Sequence, residues 1–228
     1  MPHNNLLKLS LLGFTKSLVL AEGATIKGWG TFSDVDQVFL GGLTEDHYKC
    51  GVAVDGYGYI GSDTATPIIR KIDLSTMSGI GAVPNTAYKY YKLAAVDETG
   101  TKGVFATLDP GKTNKSAVMV IDLENMITTA IIEHGDTDGF TSQATVGNHV
   151  LYGTAGSPAK VYSFDIESQE FESGSFTGES GENNFQKVAI GDGTDAYFVP
   201  EGTRKIVKIK VSDLSREDSV EVSGTDGE

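Results

Sequence analysis

Cysteine occurs once in the 228 residues, at Cys50, so no disulfide can form within the chain and packing must hold the fold. Cys50 sits in an apolar run beside Val52 and Val54, which reads as a small buried core residue rather than a nucleophile. Arginine is scarce as well, confined to Arg70, Arg204 and Arg216. Lys and Arg together number 18 against 31 acidic residues, a formal net charge of -13, and a phosphate-backbone binder needs the opposite balance. Nucleic acid is therefore not an expected partner. The most apolar stretch, residues 1–20 (MPHNNLLKLSLLGFTKSLVL), is interrupted by Lys8 and Lys16 and has no small-x-small cleavage site. It is too short and too charged to span a bilayer, and it reads as part of the folded structure.

Catalytic and metal-binding patterns are missing too. His3, His47, His134 and His149 have no metal-ligand spacing and read as solvated turn residues. There is no Gly-x-Ser-x-Gly elbow. The acidic groupings Asp34/Asp36, Asp136/Asp138 and Asp192/Asp195 do not match the twelve-residue calcium loop, and each reads as a hairpin turn with an Asx-type hydrogen bond. If one of them takes Ca²⁺, it is residues 136–139, with Glu133 and His134 just upstream. No catalytic, cofactor-binding or metal-ligating residue is assigned, and the expectation is a protein without enzymatic activity.

What the chain does have is a repeat. Residues 57–77 (YGYIGSDTATPIIRKIDLSTM) read as an aromatic strand, a turn and a second strand. The pattern returns in residues 103–125 (GVFATLDPGKTNKSAVMVIDLEN), 149–168 (HVLYGTAGSPAKVYSFDIES) and 195–212 (DAYFVPEGTRKIVKIKVS). Aligned, Ile60, Phe105, Tyr152 and Phe198 form one column at intervals of 45, 47 and 46 residues, the spacing of propeller blades. A second column closes the hairpin: Asp73, Asp122, Asp165 and, in the last copy, Lys210. An apolar strand precedes each hairpin, at residues 50–54, 93–96, 143–146 and 187–190, ending in the turn positions Asp55, Asp97, Asn148 and Asp192. A weaker strand follows, at 79–83, 128–133, 170–176 and 218–222. Runs such as SAVMVIDL are β-branched and too short for an amphipathic helix, so the chain is expected to be all-β. Four-stranded meanders that cannot bury both faces alone stack radially, which predicts a β-propeller of four-stranded blades.

Residues 45–228 hold the four repeats; residues 1–44 are either a divergent first blade or an assembly arm of the same single domain. The arithmetic of 228 residues over about 45 per blade favours five blades, and Gly23, Gly28, Gly41 and Gly42 punctuate the segment as turns would. As an arm it would present Leu6, Leu7, Leu9, Leu11, Leu12 and Phe14 to a neighbouring subunit. Tyr88, Tyr90 and Tyr91, with Trp29 and Tyr57, are candidates for a recognition surface, although packing between blades is the commoner use of such residues. Tyr90 and Tyr91 should point to opposite faces of their strand.

Residues 63–77 (DTATPIIRKIDLSTM) and 181–198 (GENNFQKVAIGDGTDAYF) resemble the YVTN-type propeller repeat of bacterial and archaeal cell-surface proteins and of some phage or environmental viral proteins, over about residues 45 to 228. The fourth copy departs from that pattern at Lys210 and Val199-Pro200. The resemblance implies a binding or structural module on an extracellular surface or a virion, and it carries over no catalytic residue. The leading expectation is a platform that contacts partner proteins in an assembly, as a homo-oligomer with the N-terminal segment in the contact. Two alternatives are a lectin-like propeller binding glycan through repeated aromatic and polar positions, and a propeller resembling the metal-dependent lactonases, with Glu, Asn and Asp around a central cation.

Overall fold

The computed structural model describes residues 48–64, 67–76, 78–84, 90–108, 116–135, 138–185 and 189–221. The N-terminal segment 1–44, and with it Trp29, Asp34 and Asp36, lies outside the described residues, as do Tyr88 and Asp136. Seventeen strands are described, and no helix. The first sheet is β1 (Tyr48–Val54), β2 (Tyr57–Ser62), β3 (Ile68–Asp73) and β4 (Ser78–Pro84). The second is β5 (Tyr91–Val96), β6 (Lys102–Leu108), β7 (Ser116–Asp122) and β8 (Ile127–Glu133). The third is β9 (Phe140–Val146), β10 (His149–Thr154), β11 (Lys160–Asp165), β12 (Glu170–Phe171) and β13 (Phe176–Thr177). The fourth is β14 (Ala189–Gly191), β15 (Asp195–Phe198), β16 (Lys205–Lys210) and β17 (Arg216–Glu221). Each is an antiparallel meander paired in chain order, and β1 lies beside β5, β5 beside β9 and β9 beside β14. First strands meeting in succession around an axis, with later strands outside them, make each sheet a blade of a β-propeller.

One strand differs from expectation. Residues 170–176 do not run continuously: β12 pairs with Phe164 and Asp165, β13 pairs with Lys160 and Val161, and the strand is interrupted between them. Gly174, at φ 116°, provides the left-handed step that breaks the strand. The fourth outer strand also begins earlier than the predicted residue 218, at Arg216.

The blades interlock through the aromatic column. Phe105, Tyr152 and Phe198 have no solvent exposure, and each reaches back onto the preceding blade. There it meets the position after that blade's own column residue, which is Gly61, Ala106 or Gly153. A Cβ on Gly153 would lie 3.1 Å from Phe198 Cδ1, and one on Gly61 3.2 Å from Phe105 Cδ1, so the absent side chain is the socket for the ring. Three apolar cores result. Tyr59 and Ile69 pack with Phe105, Met119 and Ile121 between blades 1 and 2. Val104, Val118 and Val120 pack with Tyr152 and Phe164 between blades 2 and 3. Leu151 and Val161 pack with Phe198, Val207 and Ile209 between blades 3 and 4. Each aromatic so buried contributes about 1.5–3 kcal/mol. Polar ties cross the same seams. The Lys71 ammonium and the Tyr59 hydroxyl both donate to the Leu123 carbonyl, at 3.0 and 3.1 Å, and the Gln143 amide donates to the Ala94 carbonyl. Burial pushes the Tyr59 phenol up to about 12, so it remains a donor at any physiological pH.

Candidate functional site

An up-and-down blade puts its β1–β2 and β3–β4 type turns at one end and its β2–β3 loops and interblade links at the other. At the turn end the repeated acidic residues are consumed by backbone chemistry. Asp73 accepts from the N–H groups of Ser75 and Thr76 at 2.8 and 3.2 Å, and Asp122 from Glu124 and Asn125, both at 2.9 Å. Asp165 does the same for Glu167 and Ser168 at 2.7 and 3.4 Å. These are Asx turns, which satisfy N–H groups that the sheet cannot. In the fourth blade Lys210 cannot accept, and Asp213 takes over, accepting from Ser215 N–H at 3.0 Å just before Leu214 at φ 53°.

The inner turn positions behave alike. Asp55, at φ 49°, and Gly56, at φ 82°, form a two-residue turn of the primed type. Asp97 accepts from Lys102 N–H at 2.9 Å and from the hydroxyls of Thr99 and Thr101. Burial alone would raise its pKa, but these donors outweigh it and hold the carboxyl below its ordinary value. The Tyr197 hydroxyl at 2.6 Å, followed by the Asp195 and Thr194 N–H groups, holds Asp192 well below the usual carboxylate range. Asn148 instead reaches the neighbouring blade, accepting from Glu98 N–H at 3.0 Å. A shallow acidic notch remains between the first two blades, lined by Asp55, Asp97, Glu98, Thr99 and Gly100 over Val54 and Val96.

The loop end carries the longer connections. A buried hydroxyl closes β2 and β10: Ser62 Oγ accepts from Ile68 N–H at 2.9 Å, and Thr154 Oγ1 from Lys160 N–H at 3.0 Å. Pro200 occupies the matching place in the fourth blade and has no hydroxyl, so Thr203 takes the Lys205 N–H at 3.3 Å. Asp63 pairs with Lys92 across the first two blades at 3.6 Å. On the link from blade 3 to blade 4, Glu182 is 1% exposed and accepts both Arg216 guanidinium nitrogens, the Glu179 N–H at 2.9 Å and Lys205 Nζ at 3.4 Å. Burial pushes this carboxyl up, but Arg216, the Glu179 N–H and Lys205 together outweigh burial and the net direction is down. Arg216 also lies 5.3 Å over the Phe176 ring.

The individually nominated residues are placed as follows. Cys50 is buried at 2% exposure, its thiol pushed up by desolvation, and is unreactive while folded. His134 is not a solvated turn residue. Its ring packs 4.0 Å from Tyr162 and 4.6 Å from Phe171, because the next blade's outer strands close over it. His149 lies 3.3 Å from Glu172. Asp138 sits over Gly156, where any Cβ would collide with its carboxylate. Tyr90 and Tyr91 do not share a strand: Tyr91 is fully buried at the start of β5, whereas Tyr90 precedes it in the left-handed region at φ 61°. Tyr57 is half-buried, with Lys71 Nζ 4.6 Å over its ring.

Sequence reasoning missed a second aromatic column. Tyr91, Phe140 and Phe185 precede Phe105, Tyr152 and Phe198 and pack on them at ring-centroid distances of 5.9, 4.7 and 5.4 Å. The signal was an aromatic 12 to 14 residues upstream of each column residue, with Tyr48 before Ile60 as its first member. Among the described residues, the four innermost strands hold no Asp, Glu or His, and no group of three His, Cys, Asp or Glu converges. No helix among them is long and apolar enough to cross a membrane.

No protein-family model matches this chain, and no curated protein matches it by sequence. Solved structures match it in fold. Kuenenia stuttgartiensis hydrazine synthase aligns over 69% of this chain and 50% of its own, with TM-score 0.56 and 12% identity. The WD40 repeats of RRP9 align over 78% of this chain and 52% of their own, with TM-score 0.59 and 10% identity. Dihydro-heme d1 dehydrogenase NirN aligns over 74% and 35%, with TM-score 0.54 and 13% identity. This chain thus spans about half the length of the first two. At such identities the likeness defines the class of fold, a β-propeller, and nothing narrower.

Proposed function

We propose that the protein is a non-catalytic propeller platform that binds proteins, including further copies of itself, through its loop-bearing end. One observation carries this reading. The repeated polar positions that could have formed a reactive or sugar-binding set are already bound to backbone within their own turns, as at Asp73, Asp97, Asp122 and Asp192. Among the described residues, the other end differs from blade to blade at the Glu182 cluster, the Asp63–Lys92 pair and the Pro200 loop. A rigid scaffold with individualised loops at one end is the arrangement expected of a docking surface. A metal-dependent lactonase would need carboxylates on the innermost strands, and the described ones carry Lys49, Lys92 and neutral side chains. The repeat resembles the YVTN type, and on that ground we place the protein in an assembly on a cell surface or virion.

The test compares the two ends. Ser157 and Glu201 are exposed at the loop end, and Glu124 and Glu167 at the turn end. In light scattering over a concentration series, the chain should self-associate, S157R/E201K should abolish association, and E124K/E167K should leave it intact. Equal behaviour of both variants would overturn the assignment of the face. Saturable binding of defined oligosaccharides, or hydrolysis of a lactone on adding a divalent metal, would overturn the class.

A further inference from the structure

Among the described residues, the outermost strand of each blade has one edge with no strand beside it, and such an edge is a template for pairing that soluble proteins protect. Three of the four outer edges are protected in this way. β17, REDSVE, is charged at four of its six residues. β12 and β13 are two residues each, separated at Gly174. β4, SGIGAVP, contains Gly79 and Gly81 and ends at Pro84. The exception is β8: ITTAIIE is uncharged over six consecutive residues, β-branched at five of its seven, and contains neither glycine nor proline. A bulge at Thr129 does not set it apart, since β4 and β17 bulge at the matching places, Ile80 and Glu217. Beyond the bulge the ladder is regular. The His134 N–H donates to the Ser116 carbonyl at 2.8 Å, so strand alternation turns the N–H and carbonyl of Ile131 away from β7, toward the rim.

The side chains around that edge are apolar. Two of the four large apolar side chains exposed among the described residues, Ile127 at 54% and Ile131 at 41%, lie on β8. A third, Ile80 on β4, is 52% exposed and adjoins Gly81, where an added Cβ would lie 3.3 Å from Cγ of Met126, the residue before Ile127. Ile131 is opposite Met119, which packs toward blade 1, so its side chain stands on that same side. We propose that the β8 edge is a docking site for an extended segment of a partner protein, which adds a strand to the second sheet and lays apolar side chains against Ile80, Ile127 and Ile131. Outward-facing backbone groups of a strand are satisfied in series by another strand, which fixes the form of the occupant. Charge selects its ends. Asp122 and Glu124 lie at one end of β8 and Glu133 at the other, in a chain of net charge -13, so the segment carries Lys or Arg on either side of an apolar centre. A second copy is the poorer fit, because pairing two β8 strands in either direction sets carboxylates against carboxylates at both ends. The rim is also distinct from the loop-bearing end, so the two surfaces can be tested separately.

The probe is a fluorescein-labelled peptide, KTVTVTVK, capped at both ends and titrated into the full chain with anisotropy as the readout. Binding should saturate. Two N-methylated forms, one methylated at the valines and one at the threonines, each block one hydrogen-bonding edge of the peptide, and at least one should bind about tenfold more weakly. Ile131→Pro removes the outward N–H while leaving the ladder to β7 intact, and should weaken binding by a similar factor. Hydrogen exchange on the unaltered chain covers the case in which that variant fails to fold. The Ile131 amide should exchange faster than that of Ile132 and be slowed by the peptide, while the Ser219 amide on β17 is unaffected. S157R/E201K, at the loop end, should bind the peptide as the parent does. Several results would overturn the proposal: no binding, equal binding of both N-methylated forms, no slowing at Ile131, or loss of binding in S157R/E201K. Self-association in light scattering that Ile131→Pro abolishes would overturn it in favour of a second copy on the same edge.

Discussion

Gly153→Ala is the substitution that most directly tests how the blades lock. The added Cβ would lie 2.5 Å from Ser142 Oγ, 2.8 Å from Phe185 Cβ and 3.1 Å from Phe198 Cδ1. The serine hydroxyl can rotate away and the Phe198 ring can shift slightly. Phe185 Cβ is fixed to the backbone leading into blade 4, so the seam itself must open by a few tenths of an ångström. Overpacking of this kind costs about 1–3 kcal/mol. Replacing a glycine in a strand recovers about 0.5–1 kcal/mol of conformational entropy. The net loss is about 1–2 kcal/mol, which for a chain of this length lowers Tm by about 2–8 °C. Gly135→Ala is the control, because nothing lies within 4 Å of its added Cβ and its backbone is outside the left-handed region, and it should be neutral. Thermal and urea unfolding followed by circular dichroism measure both. A double variant, Gly153→Ala with Phe198→Leu, should be more stable than the sum of the single losses implies, since the smaller side chain relieves the collision. A Gly153→Ala protein as stable as the parent, or strictly additive with Phe198→Leu, would refute the socket.

Glu182→Gln should cost about 2–3 kcal/mol, below the usual 3–5 kcal/mol for breaking a buried pair, because Arg216 and Lys205 keep 22% and 30% of their side chains exposed. Urea unfolding reads this directly, and a loss under about 0.5 kcal/mol would count against the cluster as the clamp of the fourth blade. Acid should destabilise the fold. Asp73, Asp97, Asp122, Asp192, Asp213 and Glu182 all have lowered folded pKa values, so their contribution is complete above the ordinary values of 3.8 and 4.5 and drains away as pH falls through the folded ones. Unfolding midpoints that stay flat from about pH 6 to about pH 2.5 would contradict that sign. Cys50 should resist a thiol reagent in the folded protein and react at the rate of global unfolding, and stoichiometric labelling within minutes under native conditions would show that blade 1 is not packed as described.

How much of this was legible beforehand depends on whether the governing interaction lies within a repeat or between repeats. Ile60, Phe105, Tyr152 and Phe198 could be aligned because strand alternation and period are local, and the aspartates at 73, 122 and 165 announced their turns for the same reason. The shift of that carboxylate to Asp213 was not legible, because the replacement lies off the column. The partners of Tyr91, Phe140 and Phe185 are rings that come later in the chain, and the socket for each column ring belongs to the blade before. Such residues look unremarkable until the blades are stacked. His134 was read as solvated because the rings that enclose it arrive 28 and 37 residues later, and Glu182 meets Arg216 across 34. The same division governs function. A propeller repeats what holds it together, so positions that recur in every blade are the ones the fold has already engaged, and the carboxylates at the turns are occupied before any ligand arrives. Whatever this chain recognises must therefore be read from residues that fail to repeat: Pro200 with its displaced hydroxyl, Glu182 with its two cations, and the Asp63–Lys92 pair.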